Sequence, residues 1–497
     1  MRKGLCLCVL ALCIATLSEF SAAAHVLNTY TYDFWGDEKR SPAGYCVDKV
    51  ISGESSGTTP LSNPQDLFVA GDGSLYVADT DNHRVVVLNR DGSFRKEMTR
   101  FTKEDGVTVD LQKPTGIFVT ADGEILIVDS EKRHTLRCTA EGRVLTIYKK
   151  PNTQDITFTG LDYIPQKVVA DKSGYVFILC KDLYQGTMMY TVDGEFVNYF
   201  GANRATLTLI QQMQQLYKRF MTKEQRERIT RVIPNAISNI DIDEHDFLYT
   251  CTSAVTNTSE QLRRLNPKGV NIMESSDSLK DSFQNIFGDL RMKWANGQLY
   301  QTKLVDVAYD EAGLINGIDQ TFGRIFQYDL EGHLVFAFGG VGTQEGNFDQ
   351  AVAIDTYEGN LYVLDSVKNS ITVFKETDYG AYIHKAIRLY NDGKYEEAED
   401  YWLSVIDLNC NYTLTYIGLG KIKYEQQDYR AAMYYFRQGE DRQSYGNAFK
   451  QVRNAFLRSY GLPVLLGTIC VAFLIWVIRY VIHKIRCFKQ TQGRRLT

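Results

Sequence analysis

Residues 64–92 read PQDLFVAGDGSLYVADTDNHRVVVLNRDG, and this stretch decides the fold. It contains three short apolar runs rich in Val, Leu, Tyr and Phe, which favour strands, separated by turns rich in Gly and Asp. The pattern predicts a small antiparallel sheet. A sheet of this size cannot bury both of its faces alone, so it needs neighbours of the same kind.

The same unit recurs along the chain. Copies at spacings of roughly 40 to 50 residues begin near residues 64, 114, 165, 237, 304 and 351. Six copies predict a mainly β fold, a six-bladed β-propeller over residues 25–378 in which the sheets pack radially. Ring closure needs a strand from one terminus. We expect the early strands within residues 29–34 and 46–51 to complete the sixth blade.

Two helical patterns interrupt or follow the repeats. Residues 205–231 carry apolar residues at helical spacing and predict a helical hairpin inserted in the propeller, either a cap on one rim or a partner-binding or membrane-facing helix. From residue 379 the apolar period changes from two to between three and four. Two helix–turn–helix units 34 residues apart are typical of tetratricopeptide repeats, so residues 379–458 are predicted to be TPR-like.

The two ends of the chain predict export and a membrane anchor. Residues 1–24 have the basic start, apolar core and small-residue cleavage region of a signal peptide. Residues 459–482 are predicted to form a transmembrane helix, and residues 483–497 a basic tail. By the positive-inside rule the tail is cytoplasmic and the larger part of the protein lies outside a cell membrane that it crosses once.

Composition narrows the function classes. The formal net charge is −5, and because the tail is basic, the preceding part is more acidic still, which argues against nucleic-acid binding. Five cysteines outside the two ends are scattered and odd in number, which argues against a disulfide framework and a zinc site.

The motifs PTGIFVTADGEILIVDS and LYVADTDNHRVVVLNRDG resemble NHL-repeat propellers. The order of signal, propeller with helical insertion, TPR-like repeats and membrane helix is similar to that of bacterial surface proteins related to the Yip family. The resemblance implies a place beside a carbohydrate ABC transporter. Members with a multi-span Yip domain continue with several more helices, whereas this sequence has one predicted span.

Two sets of residues are candidate sites. NHL-like propellers include lyases and hydrolases, and related lactonase-type propellers bind calcium in the central channel through oxygen ligands from several blades. The predicted ligands, each of which has a turn-capping role as its alternative, are Asp79, Asp129, Asp243 and Asp365. Arginines near the third strands predict a rim that binds an anionic or sugar ligand, with ion pairing to a neighbouring blade as the alternative: Arg84, Arg133, Arg264 and Arg324.

The interpretation favours a non-enzymatic binding or scaffold protein, because no complete catalytic constellation is found beside two folds that present binding surfaces. A protein partner, such as a transporter component, and the lipid bilayer are the expected partners. No cofactor is required, and calcium is the one candidate. The alternative is a calcium-dependent enzyme of lactonase or lyase type.

Overall fold

A computed structural model shows a six-bladed β-propeller followed by helices, as the repeated pattern predicts. The predicted signal peptide at 1–24 and the predicted helical insertion at 205–231 lie outside the described residues. The structure describes residues 27–33, 36–151, 162–203, 235–253, 261–273, 287–289, 293–295 and 298–493.

The first half of the chain contains an N-terminal segment, blades one to three, and a hairpin, β8–β9, after blade one. Their strands are β1 (Tyr30–Tyr32), β2 (Glu38–Arg40), β3 (Tyr45–Ser52), β4 (Asp66–Val69), β5 (Leu75–Asp79), β6 (Arg84–Leu88), β7 (Phe94–Met98), β8 (Arg100–Thr102), β9 (Thr108–Asp110), β10 (Pro114–Val119), β11 (Ile125–Asp129), β12 (His134–Cys138), β13 (Val144–Tyr148), β14 (Pro165–Ala170), β15 (Val176–Cys180), β16 (Gly186–Tyr190) and β17 (Phe196–Gly201).

The second half contains blades four to six, with a hairpin, β21–β22, between blades four and five. Its strands are β18 (Asn239–Ile242), β19 (Leu248–Cys251), β20 (Leu262–Leu265), β21 (Lys293–Ala295), β22 (Gln298–Tyr300), β23 (Leu304–Asp310), β24 (Leu314–Asp319), β25 (Arg324–Asp329), β26 (Leu334–Gly339), β27 (Ala351–Tyr357), β28 (Asn360–Asp365) and β29 (Ser370–Glu376).

The ring closes with one of the two predicted N-terminal strands. Strand β3 pairs antiparallel with β29 as the fourth strand of blade six, which confirms the prediction for residues 46–51. Ile51 on β3 is buried in a core that blades six and one share. The prediction for residues 29–34 was wrong: β1 pairs with β26 and extends blade five. The outer edge of blade six is already occupied by β3, so β1 is added where an outer edge is free.

Each blade places its turns on two opposite faces of the propeller. We call the end with the turns between first and second strands the turn face, and the end with the turns between second and third strands the connector face. The turns of the turn face, in blade order, are residues 70–74, 120–124, 171–175, 243–247, 311–313 and 358–359.

A helical pair continues from the last strand of blade six. Its helices are α1 (Asp378–Asn391) and α2 (Tyr395–Leu408), and both lie in the compact unit that ends at Tyr412. Helix α1 starts close to the sheet because Gly380 has no side chain: a Cβ there would lie 2.1 Å from the carbonyl oxygen of Gly44. The Thr377 side chain caps the helix by accepting the N–H of Gly380.

A second compact unit contains the remaining helices, α3 (Thr413–Glu425), α4 (Tyr429–Gln438) and α5 (Arg442–Gly493). Ala432 and Phe436 of α4 pack against Ala448 of α5. Helix α5 is continuous through Pro463, and its apolar part is long enough to cross a membrane. The helical pairs agree with the change of period at residue 379. Their kinship with tetratricopeptide repeats and the domain boundaries stay predictions.

Candidate functional site

Three of the four aspartates predicted as metal ligands end the second strand of a blade at the connector face. Asp79 accepts the Ser62 N–H at 2.7 Å, and Asp129 and Asp365 each accept backbone N–H groups from the loop before their blade and from the turn between its second and third strands. These bonds fasten the connection entering the blade to its own turn. Asp319 of blade five does the same by accepting the N–H groups of Lys303 and Thr321.

Asp243 lies apart from the other three, because it follows the first strand of blade four at the turn face. Its Oδ1 accepts the N–H groups of His245 and Phe247, and its Oδ2 accepts the Tyr249 hydroxyl at 2.9 Å. The structure therefore does not bring the four carboxylates together. Within the described ranges, no three His, Cys, Asp or Glu residues form a group that could hold a metal ion. Calcium binding stays a prediction.

The four arginines also do not form one rim. Arg84 is buried against Asp79 and Glu97 of its own blade, both at 2.7 Å, and Arg324 lies 2.7 Å from Asp289. Exposed Arg133 pairs with Asp162 at 2.7 Å. These three stand near the connector face. Arg264 lies near the turn face, over the Phe247 ring. Ligand binding by this set stays a prediction, and each member already has a protein contact.

Sequence reasoning missed four carboxylates that line the middle of the ring. Asp66, Asp241, Asp306 and Asp355 lie on first strands, and each accepts a backbone N–H of the next blade. The donors are Ile117 at 2.8 Å, Tyr309 at 2.8 Å, Ile354 at 2.7 Å and Val69 at 2.6 Å. An acid inside an otherwise apolar first strand was the available sequence signal.

We call these four aspartates the channel carboxylates. The second oxygen of each also accepts a hydrogen bond or forms an ion pair. Lys167 of blade three forms an ion pair with Asp66, and Asn239 donates to Asp306. Asp241 and Asp355 accept the N–H of the residue that follows each of them. Burial raises the pKa of both Asp241 and Asp306 to about 7, while the backbone hydrogen bonds act in the opposite direction. The channel carboxylates thus connect neighbouring blades.

Asp310 differs from these buried carboxylates. It occupies in blade five the turn-face position that Asp243 occupies in blade four, and its Oδ1 accepts the N–H groups of Ala312 and Leu314. In blade four the Tyr249 hydroxyl satisfies the other oxygen. The position equivalent to Tyr249 in blade five is Asn316, whose amide bonds to Gln327. No described residue donates a hydrogen bond to the Oδ2 of Asp310, although Asp310 is only 5% exposed.

Asp310 lines a cleft of about 580 Å³ between the turn face of blades five and six and helices α1 and α2. This size is in the range of small-molecule sites. We call it the turn-face cleft; its lining includes Asp310, Glu376, Tyr382, Lys385, Arg388 and Tyr401. The rings of Tyr382 and Tyr401 lie 6.1 Å apart. Burial raises the pKa of Asp310 to about 6, and nearby His384 acts in the opposite direction.

A buried hydrogen-bond chain holds α1 in place at the cleft. The two ring nitrogens of His384 lie 2.7 Å from Glu376 Oε1 and 2.7 Å from Gln327 Oε1. The Gln327 amide in turn donates to Tyr45 and Asn316, at 3.0 and 2.9 Å. The helix that carries one wall of the cleft is therefore fixed to blade five, and the cleft is preformed.

Comparison with known proteins agrees with the fold. The NHL repeat family model matches residues 61–88, and this match together with six blades supports an NHL-type propeller. No protein in a search of curated proteins matches the chain.

Similar solved structures include three that match this chain at low identity. Virginiamycin B lyase from Staphylococcus aureus is 10% identical, with a TM-score of 0.37, over 63% of this chain and 95% of that one. A streptogramin B lyase is 12% identical, with a TM-score of 0.39, over 72% and 96%. A Bacteroides caccae protein of unknown function is 10% identical, with a TM-score of 0.34, over 64% and 89%.

Proposed function

We propose that the protein is a membrane-anchored extracellular binding protein whose propeller takes a ligand in the turn-face cleft. The observation that carries this is the Oδ2 of Asp310, which lies on the wall of the cleft and accepts no hydrogen bond from a described residue. Burying most of a carboxylate is costly unless its charge is compensated by hydrogen bonds or an ion pair. The other buried acids described above use both oxygens for the fold. A ligand that donates to Asp310 supplies the missing partner.

The anchor is α5, whose apolar residues are exposed along the whole candidate span. Residues 479–497 carry six Lys or Arg and no acid, and residues 442–458 carry four and no acid. The larger number of basic residues after the span supports a cytoplasmic tail and an extracellular propeller. This orientation places the turn-face cleft outside the cell.

We further propose that the protein binds a partner protein. The helical pair α3–α4 offers a surface next to the membrane, and tetratricopeptide-like repeats bind partners through such surfaces. The similarity of domain order to surface proteins that accompany carbohydrate ABC transporters supports a transporter component as that partner. The calcium-dependent enzyme remains the alternative. Its best-placed acids are those of the channel, whose oxygens already accept hydrogen bonds.

Native mass spectrometry of the full chain, purified in mild detergent from the producing cells, tests the binding function. We expect a small molecule that co-purifies with the wild type, is retained by Asp243→Asn and is lost from Asp310→Asn. The control changes the same turn position of another blade. The same set of bound molecules in all three proteins, or none in any, would contradict the proposal.

A further inference from the structure

The turn-face cleft has opposite charges on different parts of its wall. Asp310 and Glu376 are its less exposed acids, and Glu376 uses Oε1 for His384 at 2.7 Å. Lys385 and Arg388 are exposed on α1, three residues apart and so on the same side of the helix. Neither forms an ion pair or a side-chain hydrogen bond with a described residue.

We propose that the cleft binds a dipolar ligand with an ammonium group and a carboxylate, namely a short peptide with free ends. This inference rests on the proposed binding function and names its ligand class. The ammonium group donates to Asp310 Oδ2 and to Glu376, forming charge-assisted hydrogen bonds. The ligand carboxylate pairs with Arg388, whose planar guanidinium matches a carboxylate through two parallel bonds, and with Lys385.

The remaining wall suits the rest of such a molecule. Tyr382, 37% exposed, and Tyr401 form an aromatic surface beside the charged groups. Aromatic rings attract both apolar side chains and ammonium groups. A cleft of about 580 Å³ lies within the size range of small-molecule sites, which suits a short peptide.

The comparison with blade four explains why this site is found in blade five and not at the equivalent turn of blade four. At the equivalent place in blade four, Tyr249 and Arg264 take the positions of Asn316 and Gln327, and the Tyr249 hydroxyl bonds to Asp243. Both carboxylate oxygens of Asp243 therefore accept hydrogen bonds from blade four itself. In blade five, Gln327 instead bonds to His384 and so holds α1, while Asp310 keeps an oxygen for the ligand.

The experiment uses a tripeptide library with random side chains in three forms: free ends, acetylated amino end, and amidated carboxyl end. The immobilised full chain is incubated with each form, and retained peptides are identified by mass spectrometry. We expect retention of free-ended peptides, at least tenfold above either blocked form. Arg388→Ala should lose this retention, and Lys394→Ala, a basic residue outside the cleft lining, should keep it.

Retention of blocked and free peptides to the same extent would overturn the inference, and so would no retention of any form. These failures are distinguishable from failure of the binding function. If a molecule still co-purifies in an Asp310-dependent way, the cleft binds another class of ligand. If no small molecule co-purifies with the wild type either, the proposed binding function is also wrong.

Discussion

Replacing Asp310 by Asn should make the protein more stable above pH 6 while removing its ligand site. Burial raises the pKa of Asp310 from its ordinary 3.8 to about 6. The folded state therefore holds a proton that the unfolded state has already lost between these two pH values. Stability of the wild type falls as pH rises through this window, and the loss is complete above the folded pKa.

The size of the effect follows from the shift. Each pKa unit is worth 1.36 kcal/mol, so a shift of this size corresponds to about 2 to 3 kcal/mol at pH 8. The asparagine of the Asp310→Asn variant does not titrate, and its side-chain oxygen can still accept the N–H groups of Ala312 and Leu314. The substitution leaves the other charged or titratable groups at the cleft unchanged: Glu311, Glu358, Glu376, His384, Lys385, Arg388, Tyr357, Tyr382 and Tyr401, with Tyr45 behind them.

The assay is chemical denaturation of wild type and Asp310→Asn in detergent from pH 4.5 to pH 8. We expect the two free energies of unfolding to differ little at the lowest pH and to diverge in favour of Asp310→Asn as pH rises. Asp243→Asn is the matched control. It should gain no stability, because Asp243 is bonded to Tyr249 and lies 3.9 Å from Arg264. Parallel pH profiles for wild type and Asp310→Asn would show that the charge on Asp310 does not destabilise the folded state.

The remaining predictions concern closure of the ring by β3, the close approach of α1 to the sheet, the orientation in the membrane and calcium binding. Ile51→Ala should cost about 2 to 4 kcal/mol because Ile51 is 4% exposed, whereas Val50→Ala, at an exposed position, should cost little; equal losses in denaturation would count against closure by β3. Gly380→Ala should lower the melting temperature, because its Cβ would meet Gly44; an unchanged melting curve would contradict this close approach. An impermeant maleimide should label exposed Cys410 on intact cells, and labelling only after lysis would place the propeller inside. Elemental analysis of the purified chain should find less than one calcium per molecule, and one or more would favour the enzyme alternative.

The fold could be predicted because the pattern that forms one blade repeats along the sequence. Alternating apolar strands and Gly-rich turns recur six times, and that period is a local property of the chain. The closure by residues 46–51 followed from the need of a ring for a final strand. The position of β1 did not, because pairing with Ala337 at the edge of blade five depends on where the chain passes after folding.

The candidate site could not be predicted in the same way. Asp310, Glu376 and Arg388 come from two blades and a helix, and no spacing in the sequence relates them. The aspartates at strand ends were predicted as ligands because of their position. Asp365 uses both oxygens to hold its own loops, and Asp79 holds the preceding loop with one oxygen and Arg84 with the other. What separates Asp310 from Asp243 is a neighbour on the adjacent strand, which becomes visible only when the strands are in register.

Site-specific photo-crosslinking in the producing cells tests whether the turn-face cleft binds a ligand. A photoreactive phenylalanine analogue replaces either Tyr382, in the turn-face cleft, or Val367, which is 56% exposed at the connector face. Adducts are then measured by intact-mass spectrometry. We expect a discrete adduct at position 382, abolished by the additional change Asp310→Asn, and none at position 367. An adduct at position 367 alone, or none at either position, would contradict this expectation.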